Sequence, residues 1–404
     1  MAGGMSSGAL PKAEILMFAN DAPTLRPGTH VTGLDLVRFL AAFIVMIYHL
    51  YFWKNGDISE AAGDFSHVWW FGWIGVEIFF VLSGFVIVFS AQNGSAWTFC
   101  RRRVLRLAPT VWLAATTSFA AMIILANGAQ ESDILPRYFT TLGLLPIGRP
   151  IDVVYWTLQV EVAFYILIFV LLHSFGLRAL TPAMIALGLI SSVFVLFVAA
   201  ANLYPQYLPS RFVVLAHSLG AMRTTRLLLL QHGCFFALGA TLWALSDDRK
   251  NRLLLVATAL FTVVCTLSVA ASARMYIVEH HPNGVILLSP MLIWLVALAA
   301  MAAFIFAGSG PLASPRIAPT IRLLGLLSFP IYLLHNNCGL LISRSFARLG
   351  CPVEIATPFA IAIVLALSLL FVKLLDPFVR DRLALVMERA SRGVRSVQRR
   401  QTAD

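Results

Sequence analysis

From residue 33 onward the chain divides into ten apolar blocks, at about 34–53, 68–91, 104–126, 153–173, 180–201, 227–246, 252–271, 284–307, 321–343 and 354–376. Most come near or exceed the roughly 18 apolar residues that mark a helix able to cross hydrocarbon. A composition of 59% hydrophobic and 12% charged residues is more than one water-soluble core can hide. The expected fold class is therefore all-α, a polytopic transmembrane helical bundle of about ten membrane-spanning helices. Five scattered cysteines show no metal-ligand or disulfide spacing, so no metal site is expected.

An even number of spans puts both termini on one side. With the N-terminus cytoplasmic, twenty Lys and Arg residues fall inside and nine outside, which fits the positive-inside rule. The net charge of +11 then belongs to segments facing anionic lipid, and nucleic acid is not needed to explain it. Residues 1–32 read as a mobile cytoplasmic tail whose apolar run, 15–18, is too short for a signal peptide. Residues 33–378 form the membrane domain, and 379–404 a basic cytoplasmic tail expected to lie as a helix on the inner leaflet. The longer outside loops, 127–152, 202–226 and 272–283, are expected to shape an external pocket. No soluble second domain is expected after the tenth block, and no internal repeat is visible.

Ionisable residues within membrane helices are costly, so each is a functional candidate. Arg38 and His49 are eleven residues apart in the first block. At about 100° per residue they fall on one face, separated by a rise of roughly 16 Å. Glu77 sits in the second block, Glu161 in the fourth and His335 in the ninth. By the assigned topology His49, Glu77, Glu161 and His335 share the outer half, where two imidazoles and two carboxylates make the parts of a general acid/base site. At the cytoplasmic start of the third block, Arg101, Arg102, Arg103 and Arg106 can grip phosphate. His173, His217, His232, His280 and His281 have no helical partner at metal-ligand spacing and read as loop and packing residues.

These motifs resemble those of the bacterial membrane acyltransferase family 3, the O-acetyltransferases of surface glycans, Nod factors and some macrolides. The resemblance covers about residues 33 to 376. It rests on the Arg-x10-His pattern at Arg38 and His49, the string FFVLSGF from Phe79 to Phe85, and the arginine-rich segment ending in Pro109. The patterns WTLQVEVAFY from Trp156 to Tyr165 and SFPIYLLH ending at His335 complete it. Two departures stand out: Glu77 where the family commonly has Asp, and Leu105 interrupting the Arg-x-Arg spacing counted back from Pro109. Arg101 and Arg103 supply that spacing one step earlier.

The resemblance implies an acyl-CoA donor, usually acetyl-CoA, on the cytoplasmic side of a bacterial inner membrane. It also implies a carbohydrate or glycolipid hydroxyl as acceptor on the other side. Arg38, Arg101, Arg103 and Arg106 are then the donor-binding candidates. His49, Glu161, Glu77 and His335 are the catalytic ones. The alternative is a proton-coupled transporter or flippase of a glycan or lipid using the same His and Glu residues. The lack of an inverted repeat and the arginines beside Pro109 count against it.

Overall fold

The computed structural model describes residues 31–52, 69–92, 94–125, 133–280 and 288–401; the expected mobile tail lies almost wholly outside them. Every regular element among the described residues is helical. The first block becomes α1 (Thr32–Ile47), continued by a π-helical turn at Tyr48–Phe52. The others in chain order are α2 (Ile74–Ala91), α3 (Ala96–Leu125), α4 (Ile134–Leu142), α5 (Trp156–Ser174), α6 (Leu180–Leu203), α7 (Ser210–Ala221) and α8 (Arg223–Leu227). There follow α9 (Gly233–Asp247), α10 (Arg252–His280), α11 (Leu288–Ala307), α12 (Ala318–Leu334), α13 (Asn337–Arg348), α14 (Val353–Leu370) and α15 (Asp376–Gln401).

Among the described residues eight helical runs are long and apolar enough to cross a membrane, and α12 with α13 makes a ninth, bent by 67° just past His335. The sixth block yields only the 15-residue α9, about 22 Å long at 1.5 Å per residue and shorter than the roughly 30 Å hydrocarbon core. It is buried on every side from Gly233 to Leu245, as expected of a central helix whose sequence is apolar all round. The outward faces of α6, α10 and α11 carry Ile190, Val193, Val256, Val263 and Val296, all exposed. That is where the surplus of apolar residues goes: to lipid.

Two crossings set the frame. Gly84 of α2 lies on the Phe236 carbonyl of α9, and Gly239 of α9 on the Val81 carbonyl of α2, so a side chain at either glycine would collide with backbone. α1 packs along α12, where Gly325 lies against Asp35. Polar ties mark the two ends of the bundle. At the near end the Gly33 amide donates to Ser309 Oγ, and Arg249 donates to the Phe306 carbonyl. At the far end the Tyr48 and Tyr276 hydroxyls meet at 2.8 Å, Arg348 donates to the Leu125 carbonyl, and Asn337 to the Ile151 carbonyl.

Three expectations change. α3 starts at Ala96, ahead of the third apolar block at 104, so Arg101, Arg102 and Arg103 already lie on the helix. The stretches 127–152 and 202–226 carry helices of their own, α4, α7 and most of α8. The basic tail is no separate element: helix runs from Val353 through a second π-turn at Phe371–Leu375 to Gln401. Thr110 of α3 fastens it by donating to Asp376 at 2.6 Å.

Candidate active site

α1 and α12 bring His49 and His335 together. His335 Nε2 lies 3.2 Å from His49 Nδ1, with ring centroids 4.8 Å apart. His335 is fully buried, while His49 keeps part of its surface open. His49 stands on the π-turn, whose wider winding is a device often found at functional sites. That turn begins after Ile47, so α1 keeps α-helical winding from Arg38 almost to His49.

The surrounding carbonyls fix the protons. His335 Nδ1 faces the Tyr332 carbonyl at 2.7 Å and the Ile331 carbonyl at 3.2 Å. Carbonyls only accept, so this nitrogen carries the hydrogen, and in the neutral ring the lone pair falls on Nε2. His49 Nδ1 faces the Val45 carbonyl at 2.9 Å and that lone pair at 3.2 Å, so it too carries a hydrogen. The basic lone pair of His49 is thereby assigned to Nε2.

The carboxylates are elsewhere. Glu161 Oε1 accepts from the Tyr165 hydroxyl at 2.5 Å and the Ser83 hydroxyl at 3.5 Å. It belongs with the arginines: Arg38 lies in the electrostatic neighbourhood of Arg106, Asp35, Glu161 and Tyr165. Arg103 lies in that of Tyr165, Arg106 and Glu161. Arg103 is buried, donates to Ser90 Oγ, and sits over the Phe99 and Tyr165 rings at 5.4 and 5.6 Å. Arg38 pairs with Asp35 at 3.5 Å, one helical turn away. Arg106 acts on both Arg38 and Arg103, whereas Arg101, two positions from Arg103, points off another side of α3. Three guanidinium groups against Asp35 and Glu161 leave this cluster with a surplus positive charge.

Glu77 makes a third station. Its Oε2 lies 3.6 Å from Nδ1 of His232, and neither that oxygen nor either His232 nitrogen has a hydrogen-bond partner. Phe80 and Trp156 box the imidazole, with centroids at 4.7 and 5.4 Å. His232 thus lies in the turn before α9 and packs among aromatic rings, as a loop and packing residue does, and it also faces Glu77, a contact that the sequence did not show. Leu229, held at φ 61°, reverses the chain just before it, a conformation costing a non-glycine residue roughly 1–2 kcal/mol. Ser191 spans the opened turn, donating to the Leu230 carbonyl and accepting from the Cys234 amide.

The structure thus joins His49 with His335 and gathers Arg38, Arg103, Arg106 and Glu161. It does not assemble the four acid/base candidates into one site. Sequence reasoning passed over Asp35, Ser83, Tyr165 and His232. Asp35 and Tyr165 were within reach, at i−3 from Arg38 and i+4 from Glu161; Ser83 and His232 meet their partners only through tertiary packing. Among the described residues no three His, Cys, Asp or Glu side chains come together as a metal site.

Comparison with known proteins gives a family model described as an acyltransferase domain, of the acyltransferase 3 type, matching residues 31–375. Two curated relatives align with parts of the chain. An acyltransferase, MdmB, of Streptomyces mycarofaciens is 31% identical over 145 residues, covering 34% of this chain and 37% of the relative. Nodulation protein 10 of Rhizobium leguminosarum bv. viciae is 29% identical over 187 residues, covering 39% of this chain and 50% of the relative. The chain thus spans between about a third and a half of the relatives it matches. No solved structure matches.

Proposed function

The chain belongs to the acyltransferase 3 family of membrane proteins, and from that premise we propose that it moves an acyl group, acetyl in the simplest case, from acyl-CoA to a hydroxyl of a carbohydrate or glycolipid. The donor enters from the cytoplasm at the near end of the bundle, and the acceptor meets it at the far end. With the short, buried α9 counted as a tenth crossing, the number of spans is even and both termini face the cytoplasm of a bacterial inner membrane.

The surplus positive charge of the arginine cluster carries the donor assignment. Arg106 repels both Arg38 and Arg103, and a phosphate group supplies the missing negative charge through bidentate, charge-assisted bonds. Glu161, held by Tyr165 and Ser83, keeps the cluster in register. Arg101 lies one face away and serves the outer part of the donor. From Arg38 to His49 the rise is roughly 16 Å, a distance that an extended pantetheine arm spans.

At His49 the chemistry is a general-base transfer. Nε2 takes the proton of the acceptor hydroxyl as its oxygen attacks the thioester carbon. The C–O bond forms, the C–S bond breaks, and the proton passes from His49 to the departing CoA thiolate. While His49 is a cation its Nδ1 hydrogen faces two acceptors, the Val45 carbonyl and His335 Nε2. His335 orients the base; Glu77, paired with His232, takes no direct part in the transfer.

A titration of purified protein with acetyl-CoA tests the donor site. Arg103→Ala with Arg106→Ala should weaken binding at least about 100-fold, since contacts to charged groups contribute about 1.5–3 kcal/mol each, while Arg399→Ala with Arg400→Ala should leave it unchanged. Equal loss from both pairs would reduce the cluster to bulk basicity.

A further inference from the structure

Asp152 is fully buried in the far-end segment between α4 and α5. Its Oδ1 accepts from Asn336 Nδ2 at 2.7 Å and from the Val154 amide at 3.2 Å, and its Oδ2 from the Asn337 amide at 2.8 Å. Burial holds this carboxyl above the usual carboxylate range, and the three donors work in the opposite direction. A buried carboxylate is costly unless its lone pairs are satisfied; here two of the three donors are the two residues that follow His335.

Those residues form the joint at which the ninth span bends by 67°. A helix end leaves backbone groups without partners, and the carboxylate takes the first amide of α13. The same segment grips the other side of His335: the Tyr332 hydroxyl donates to the Val154 carbonyl at 3.3 Å and accepts from Thr157 at 2.9 Å. The segment is itself anchored. Arg137 donates to the Pro150 and Ile151 carbonyls, the Ile151 amide to Thr141, and Asn337 Nδ2 to the Ile151 carbonyl. Residues 152–157 therefore bracket the turn that carries His335.

His335 depends on that turn because its Nδ1 is held by the carbonyls of Ile331 and Tyr332, in the last turn of α12. If the helix wound on past the joint, the Asn336 amide would take the Tyr332 carbonyl, and the imidazole would lose its closer partner, the one that helps to aim Nε2 at His49. We propose that Asp152 is a positioning residue: by holding Asn336 and Asn337 it fixes the bend in the ninth span and so the tautomer and direction of His335. The inference rests on the reading of His49 and His335 as the reacting pair. It adds to that reading a polar clamp from a different part of the chain.

The experiment has two readouts. One is the imidazole 15N spectrum of the full chain in detergent, with the His335 signals identified by their loss in His335→Gln; the other is acyl transfer from radiolabelled acetyl-CoA. Asp152→Asn keeps the volume but turns an amide nitrogen towards one of three donors. It should shift the His335 signals and lower kcat about ten-fold, the size typical of supporting partners around a reacting group, with KM for the donor within about two-fold. Adding Asn336→Asp to Asp152→Asn restores an amide–carboxylate bond in the opposite sense and should recover part of kcat. If Asp152→Asn does not fold, Asn336→Ala removes one of the bonds and is read in the same way. Unchanged His335 signals with wild-type kcat would overturn the inference, and so would lost activity with unchanged signals. Shifted signals in a protein that transfers nothing from acyl-CoA would uphold the clamp and sink the transferase reading instead.

Discussion

The two histidines divide one task by burial. His335 is sealed and pinned by two carbonyls, which suits a group that holds a direction; His49 keeps part of its surface open, and in the proposed mechanism it is the one that meets substrate. Replacing His49 by Ala should lower turnover at least about 100-fold while the protein still binds acyl-CoA, because the principal general base is lost and the phosphates are held elsewhere. His335→Ala should cost less, about ten-fold, since the base remains but loses its orientation. The carboxylates separate in the same assay. Glu161→Gln should raise the donor KM, because the arginines lose the carboxylate that keeps them in register, whereas Glu77→Gln should change neither kcat nor KM by more than about two-fold. A large kcat loss in Glu77→Gln would return that residue to the reacting site.

At the scale of elements, the α2–α9 crossing decides whether the bundle closes. Gly84→Val and Gly239→Val each drive a side chain into the backbone of the facing helix, an overpacking that costs about 1–3 kcal/mol or more. Their melting temperatures in detergent should fall well below that of Gly220→Ala, whose added carbon meets Val198 at 3.5 Å. Equal melting temperatures would mean that the crossing is not tight. The same elements show where sequence reading stops. Ten blocks were legible because lipid demands long apolar runs, and the arginines and histidines stood out against them. The short α9, the bend after His335 and the π-turn under His49 were not legible, because apolar periodicity does not register a shift of a few degrees per residue. The partners of Glu161 and Glu77 were not legible either: which helices pack together, and not the position along one helix, decides them.

For the whole molecule, the near and far ends defined by cross-loop bonds become cytoplasm and exterior in the proposed orientation. In a cysteine-free background, an impermeant thiol reagent added to intact cells should label Arg149→Cys and spare Lys250→Cys, both exposed positions at opposite ends. The reverse pattern would invert the membrane and move the donor site outside. Whether His49 drives transfer from acyl-CoA to a hydroxyl is decided in membranes containing either wild-type protein or His49→Ala at matched levels, supplied with radiolabelled acetyl-CoA. An alkali-labile labelled ester should appear in the glycan or glycolipid fraction with wild type, and at most about a hundredth of it with His49→Ala. Label retained by His49→Ala at more than about a tenth of the wild-type level would contradict that role, since loss of the principal base cannot be so mild.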